Sequence, residues 1–124
     1  MNIVDSSGWL EYFATGNSAD FFSSPIEDSG HLLVPTICLY EVFKRILQQR
    51  GETEALRAIA FMQSGENVDL SSPIALHAAR ISHESKMPTA GSIILASARE
   101  FSAALWTQDV DLMDLNDVNY LAAK

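Results

Sequence analysis

Short apolar runs alternating with stretches of helical periodicity constrain this chain more than any other feature. The first run, Ile3-Val4, is β-branched and lacks polar alternation, as suits a strand covered on both faces. His31-Leu32-Leu33-Val34-Pro35 is the second, closed by a proline that cannot donate to a sheet ladder. Val68-Asp69-Leu70 and Ala103-Ala104-Leu105-Trp106-Thr107 follow, and Val118-Asn119-Tyr120-Leu121 can make a short fifth. Strands separated by helices call for a parallel sheet with right-handed crossovers and helices on both faces. The expected fold is therefore α/β, a three-layer α/β/α arrangement on four to five parallel strands.

The intervening segments carry helix signals. Trp9, Leu10, Tyr12 and Phe13 continue a first helix that Ser6 or Ser7 can cap, since a serine oxygen accepts from the free amides of a first turn. Thr15-Gly16-Asn17 breaks the chain, and a second short helix is expected from Ser18 to Ile26. Thr36 is expected to cap a long helix with a broad apolar surface, ending at Arg50 before Gly51. Another helix runs from Glu52 to Met62. Ser71-Ser72-Pro73 is a cap followed by a first-turn proline, and Ser92 to Ala98 forms a strongly apolar helix after Met87-Pro88-Thr89.

A chain of 124 residues is one domain's worth, long enough to bury about two-thirds of its unfolded surface, so residues 1–124 are expected to form a single domain. The net charge of −8, with only eight lysines and arginines, excludes a broad basic face for nucleic acid. A polyanionic substrate has to be met locally, through bound cations, and the acidity equally suits a basic protein partner. Cys38 is the sole cysteine, which excludes an intrachain disulfide or a thiolate metal cluster and suits a reducing cytoplasm. No run approaches the roughly 20 apolar residues of a membrane span and no export signal is evident, so a cytoplasmic protein without a membrane association is expected.

Two acids stand where α/β proteins do chemistry. Asp5 and Asp109 each follow a buried strand and so emerge on one rim of a parallel sheet, the crevice where ligands bind. Asp5 serves equally as a turn or N-cap residue. Glu41 enters from the helix after the second strand, amid core-type neighbours; it lies either at the solvent edge of that helix or is held there for a purpose. Bringing such carboxylates together is costly: two unit charges about 4 Å apart repel by roughly 4 kcal/mol at an effective dielectric of about 20. A hard divalent cation, Mg2+ or Mn2+, offsets this and can activate water against a phosphodiester. His31, His77 and His83 fit a strand edge and two helix surfaces better than a ligand set. Lys44 and Arg45, one turn beyond Glu41, can meet a substrate phosphate or simply be solvated helix charges. Trp9, Phe13, Phe21 and Phe22 form a stripe more typical of a core or dimer interface than of a base-stacking platform.

The strand ending in Asp5, the glutamate of "PTICLYEVFKR", the helix start "MPTAGSIILASA" and the strand end "ALWTQD", in that order, resemble the PIN-domain ribonucleases, particularly VapC-type toxins of toxin–antitoxin pairs. The resemblance spans nearly the whole chain. It implies a sheet of order 3-2-1-4-5, with the acids at the switch between strands one and four, and an Mg2+-dependent endoribonuclease (Mn2+ also serving) that cleaves RNA, tRNA or another structured RNA. It further implies a cognate antitoxin and a homodimer. Asp5, Glu41 and Asp109 fall on the family's acidic metal positions, Ser6 and Thr107 on its supporting hydroxyl positions, and Asp111 on a further acid. One departure stands out. Pro88-Thr89-Ala90-Gly91 carries glycine where such toxins place an aspartate, although an acid in a first helical turn is favoured by the macrodipole and glycine is a poor helix former. The expectation is a weakened or inactive nuclease, with a catalytically silent antitoxin-binding module as the alternative. A receiver domain of similar length would need a lysine at the end of a central strand, and "WTQD" offers none.

Overall fold

The computed structural model describes residues 1–122. Five strands and six helices alternate: β1 (Asn2–Val4), α1 (Ser6–Phe13), α2 (Ala19–Glu27), β2 (Leu32–Pro35), α3 (Thr36–Arg50), α4 (Glu52–Met62), β3 (Glu66–Val68), α5 (Ser72–Ser85), α6 (Thr89–Glu100), β4 (Ala104–Thr107) and β5 (Val118–Tyr120). All strands are parallel in the order β3-β2-β1-β4-β5. The chain thus runs outward from β1 in both directions, and the reversal between β1 and β4 opens a crevice at the carboxyl ends.

Burial follows that topology. Ile3, Val4, Leu32, Leu33, Val34 and Leu105, all on the three inner strands, are inaccessible or nearly so. Helices on both faces supply the rest of the core through Trp9, Phe22, Val42, Met62, Ile74 and Leu95. The edge strands obey a different rule, since each pairs on one side only. In β3 only Val68 is buried, and this displaces the third strand from its expected place at Val68-Asp69-Leu70. The ladder joins Glu66, Asn67 and Val68 to Leu33, Val34 and Pro35, so the pairing of β2 decides the register rather than apolar content. Asp69 and Leu70 are exposed and lead to Ser71, whose hydroxyl accepts from the Ile74 amide and caps α5.

Several boundaries differ from the expected ones for local reasons. Asp5, not Ser6 or Ser7, caps α1; its backbone is extended and its carboxylate accepts from the Gly8 amide at 3.0 Å. Both serines are already helical. Pro35 occupies the N-cap position of α3, and Thr36 makes no capping bond. His31 lies in a 3-10 turn, Ser29–His31, just before β2 rather than in the strand. Helix α6 begins at Thr89, three residues before the apolar run, because Pro88 has the extended backbone that starts it.

Candidate active site

The parallel pairing of β1 with β4 builds the centre of the site. Asn2, Ile3 and Val4 stand opposite Ala104, Leu105 and Trp106, and the next amide, that of Asp5, continues the ladder to the Trp106 carbonyl at 3.1 Å. Asp5 and Thr107 are thereby set side by side at the strand ends. The Thr107 hydroxyl donates to Oδ2 of Asp5 and accepts from the Asp109 amide at 2.9 Å. Oδ1 of Asp5 accepts from the Ser7 hydroxyl at 2.8 Å as well as from Gly8. Glu41, in the second turn of α3, accepts from the Ser6 hydroxyl through Oε1 at 2.6 Å. The Thr107 hydroxyl therefore links the Asp5 carboxylate to the Asp109 amide, and the Ser6 hydroxyl ties Glu41 to the residue next to Asp5.

Electrostatics follow from this packing. Asp5 is 7% exposed, and burial raises its pKa above the ordinary carboxylate value; the bonds from Thr107, Gly8 and Ser7 oppose the rise and the nearby Asp109 charge adds to it. Cys38 lies directly beneath, fully buried, its thiol 3.8 Å from the Val4 carbonyl. Burial pushes that thiol far up, with Asp5 and Glu41 adding to the rise, so it is neither a nucleophile nor a thiolate ligand.

The remaining sequence candidates separate. Asp109 turns Oδ1 back to the Asp111 amide at 3.0 Å, capping a 3-10 turn at Val110–Leu112. Asp111 borders a second cavity, of about 400 Å3, with Lys86, Met87 and Arg99; its backbone amide is held by Asp109, but its carboxylate makes no described bond to the other acids. Gly91 is in the first turn of α6, a helix packed on α3, α5 and β4; a Cβ there would meet Met87 Cγ at 3.6 Å and Sδ at 3.7 Å, ordinary contacts. His77 and His83 are on α5, half-buried and exposed respectively. Of the two basic residues after Glu41, Lys44 sits over the Tyr40 ring at 5.8 Å and Arg45 borders a groove. Trp9 and Phe22 are core, while Phe13 and Phe21 are half-buried against it.

Among the described residues no group of three or more His, Cys, Asp or Glu side chains encloses a metal position. The Ser6 and Thr107 hydroxyls take lone pairs of Glu41 and Asp5, and Asp109 Oδ1 is spent on a cap. Glu41 Oε2 and Asp109 Oδ2 have no described hydrogen bond, and every available donor is a hard oxygen. The donor chemistry fits Mg2+ or Mn2+ and no softer ion.

Sequence reasoning missed two features here. Ser7, weighed only as a cap, is a donor to Asp5. Gln108, between Thr107 and Asp109, has Oε1 buried with no partner among the described residues. It stands with Ser7 at the edge of a groove of about 510 Å3 running between α1, α3 and α4.

Comparison with known proteins agrees with this architecture. A family model described as PIN domain matches residues 3–118. No curated protein sequence matches the chain. Among solved structures, a toxin–antitoxin complex from Klebsiella pneumoniae superposes with a TM-score of 0.79 at 18% identity, over 96% of each chain. VapC20 of Mycobacterium tuberculosis, described as a sarcin–ricin loop cleaving toxin, gives 0.76 at 14% identity over 91% of this chain and 93% of its own. VapBC-1 of nontypeable Haemophilus influenzae gives 0.73 at 16% identity, over 98% and 96% respectively. At these identities the likeness is one of fold.

Proposed function

We propose, from the premise that this chain belongs to the PIN domain family, that it is a VapC-type toxin of a toxin–antitoxin pair and a metal-dependent endoribonuclease. The observation that carries this reading is the grouping of Asp5 and Asp109, linked through Thr107 past the carboxyl ends of β1 and β4, with Glu41 of α3 held by the Ser6 hydroxyl. A structural role alone accounts poorly for it, since a buried carboxylate beside a second one is costly unless a positive group joins them. The neighbours of like fold support the partner: one is a toxin–antitoxin complex and another is VapBC-1, while a third, VapC20, is described as a sarcin–ricin loop cleaving toxin.

Each residue has a definite part. Asp5, Glu41 and Asp109 would hold the cation. Ser7, Gly8 and Thr107 fix both Asp5 oxygens, so its carboxylate is oriented before substrate arrives. Ser6 does the same for Oε1 of Glu41. When bound, Mg2+ or Mn2+ supplies Lewis-acid polarisation of a phosphodiester and activates water. The substrate is RNA, tRNA or another structured RNA, and the working unit is a homodimer neutralised by a cognate antitoxin. A receiver domain is a poorer description, because that doubly wound order is 2-1-3-4-5 and this sheet is 3-2-1-4-5.

Gly91 leaves this chain one acid short of the family pattern, so we take its cleavage to be slow or absent. Gly91→Asp is the test. With Mg2+ and a mixed RNA substrate, the variant is expected to cleave at least about tenfold faster than the parent chain, equivalent to about 1.4 kcal/mol of barrier. No gain rejects the missing-acid reading. A parent chain and variant that both fail to cleave, yet bind an antitoxin, leave the silent binding module as the description.

A further inference from the structure

The groove between α1, α3 and α4 is not used by the chemistry above. Three of the chain's five arginines, Arg45, Arg50 and Arg57, border it in a protein of net charge −8. Its two glutamates are already committed: Glu54 pairs with Arg57 at 3.1 Å, and Glu11 accepts from the Ser18 amide at 3.0 Å. Arg45 and Arg50 are exposed and make no ion pair among the described residues. The floor is apolar. Phe61, 42% exposed, packs its ring against Trp9, Tyr12 and Phe13 at 6.4, 5.9 and 5.8 Å and keeps the rest of its surface open to solvent. Its lining also includes Ser7, bound to Asp5, and Gln108, whose Oε1 is buried with no hydrogen-bond partner among the described residues.

We propose that this groove is a subsite for single-stranded RNA, holding the nucleotides that flank the cleaved bond. Arg45 and Arg50 meet phosphates, Phe61 stacks a base, and Gln108 Oε1 accepts from a 2′-hydroxyl or a base amino group. Cationic side chains alternating with an aromatic face are how proteins hold single strands without reading every base. The 2′-hydroxyl is also the group that separates RNA from DNA at a given position. A protein helix fits less well: its own amides are spent internally, so it brings no backbone donor sideways to Gln108. The inference rests on the nuclease reading for its geometry but is tested apart from it.

The experiment is fluorescence anisotropy of a labelled oligouridylate on the full chain, in EDTA, across a salt series. The expected result for Arg45→Ala with Arg50→Ala is at least about tenfold weaker binding and a salt slope shallower by about 1.4, two contacts at about 0.7 each. Phe61→Ala should weaken binding about tenfold with its slope unchanged. Arg99→Ala, on the second cavity, should bind within about twofold of the parent, since a single arginine away from the strand releases no counterions. Circular dichroism confirms that each variant is folded. Failure of the parent to bind RNA, or equal losses in the Arg99 variant, overturns the proposal. So does a double variant that keeps its RNA affinity but no longer binds a glutamate-rich amphipathic peptide, which would make the groove a protein-docking site. Because no turnover is read, a chain that binds as expected but never cleaves refutes only the nuclease reading.

Discussion

Asp5 has three hydrogen-bond donors and still resists ionising, because burial outweighs them and Asp109 adds a like charge. The stability consequence has a definite sign. Below the ordinary value of 3.8 the aspartate is protonated in both states. As pH rises through that value the unfolded chain ionises first, so folding loses stability until the raised folded pKa is passed, after which the penalty is constant. Asp5→Asn removes the penalty while retaining a carbonyl to accept from Gly8. Its melting temperature is expected to exceed the parent's at neutral pH, with the gap closing as pH falls to about 4. Thermal melts across that range check it; a gap independent of pH would contradict it. The same variant should lose any metal-dependent cleavage. Which residue caps α1 was not legible in the sequence, since Asp5, Ser6 and Ser7 are all competent caps, and only the end of the β1 ladder decides among them.

Two elements show how tightly the site is framed. Helix α1 starts at the acid and packs on α2 through Gly8, where a Cβ would come within 2.6 Å of both Phe22 Cε1 and Val4 Cγ1. Phe22 and Val4 are fully buried and cannot retreat. Gly8→Ala is therefore expected to cost about 1–3 kcal/mol, seen as a lower urea midpoint at unchanged slope. Helix α6 shows the reverse. It has no side-chain cap bond and no acid in its first turn, and Gly91 has room for a side chain. Gly91→Asp should leave stability unchanged or raise it by about 0.3–1 kcal/mol, since an acid there complements the dipole and glycine is removed. A calorimetric melt that falls would count against a site open to an acid. The helices were legible from their periodicity, whereas β3 was displaced because an edge strand takes its place from its neighbour's register.

The whole molecule carries −8 charge, and among the described residues Glu54–Arg57, largely exposed, is the one ion pair between a carboxylate and an arginine or lysine; Asp28 also hydrogen-bonds His31. Such pairs contribute about 0–1 kcal/mol, so general self-repulsion is little offset. Raising NaCl from about 0.01 M to about 0.15 M shortens the screening length from about 30 Å to about 8 Å, and the melting temperature is expected to rise; a fall would mean that attractive pairs dominate. At this scale the division between sequence and structure is plain. Alternating apolar runs and helical periodicity are local properties, and they determined the parallel α/β sheet and the strand ends bearing Asp5 and Asp109. Distance between residues far apart in the chain is not a local property. Arg45, Arg50 and Arg57 read along the chain as scattered solvent charges, and only the packing of α3 on α4 gathers them on one groove. Likewise the Thr107 hydroxyl that joins Asp5 to Asp109, and the Ser6 hydroxyl that reaches Glu41, exist as contacts only because the β1–β4 register and the seat of α3 bring those side chains within hydrogen-bond range.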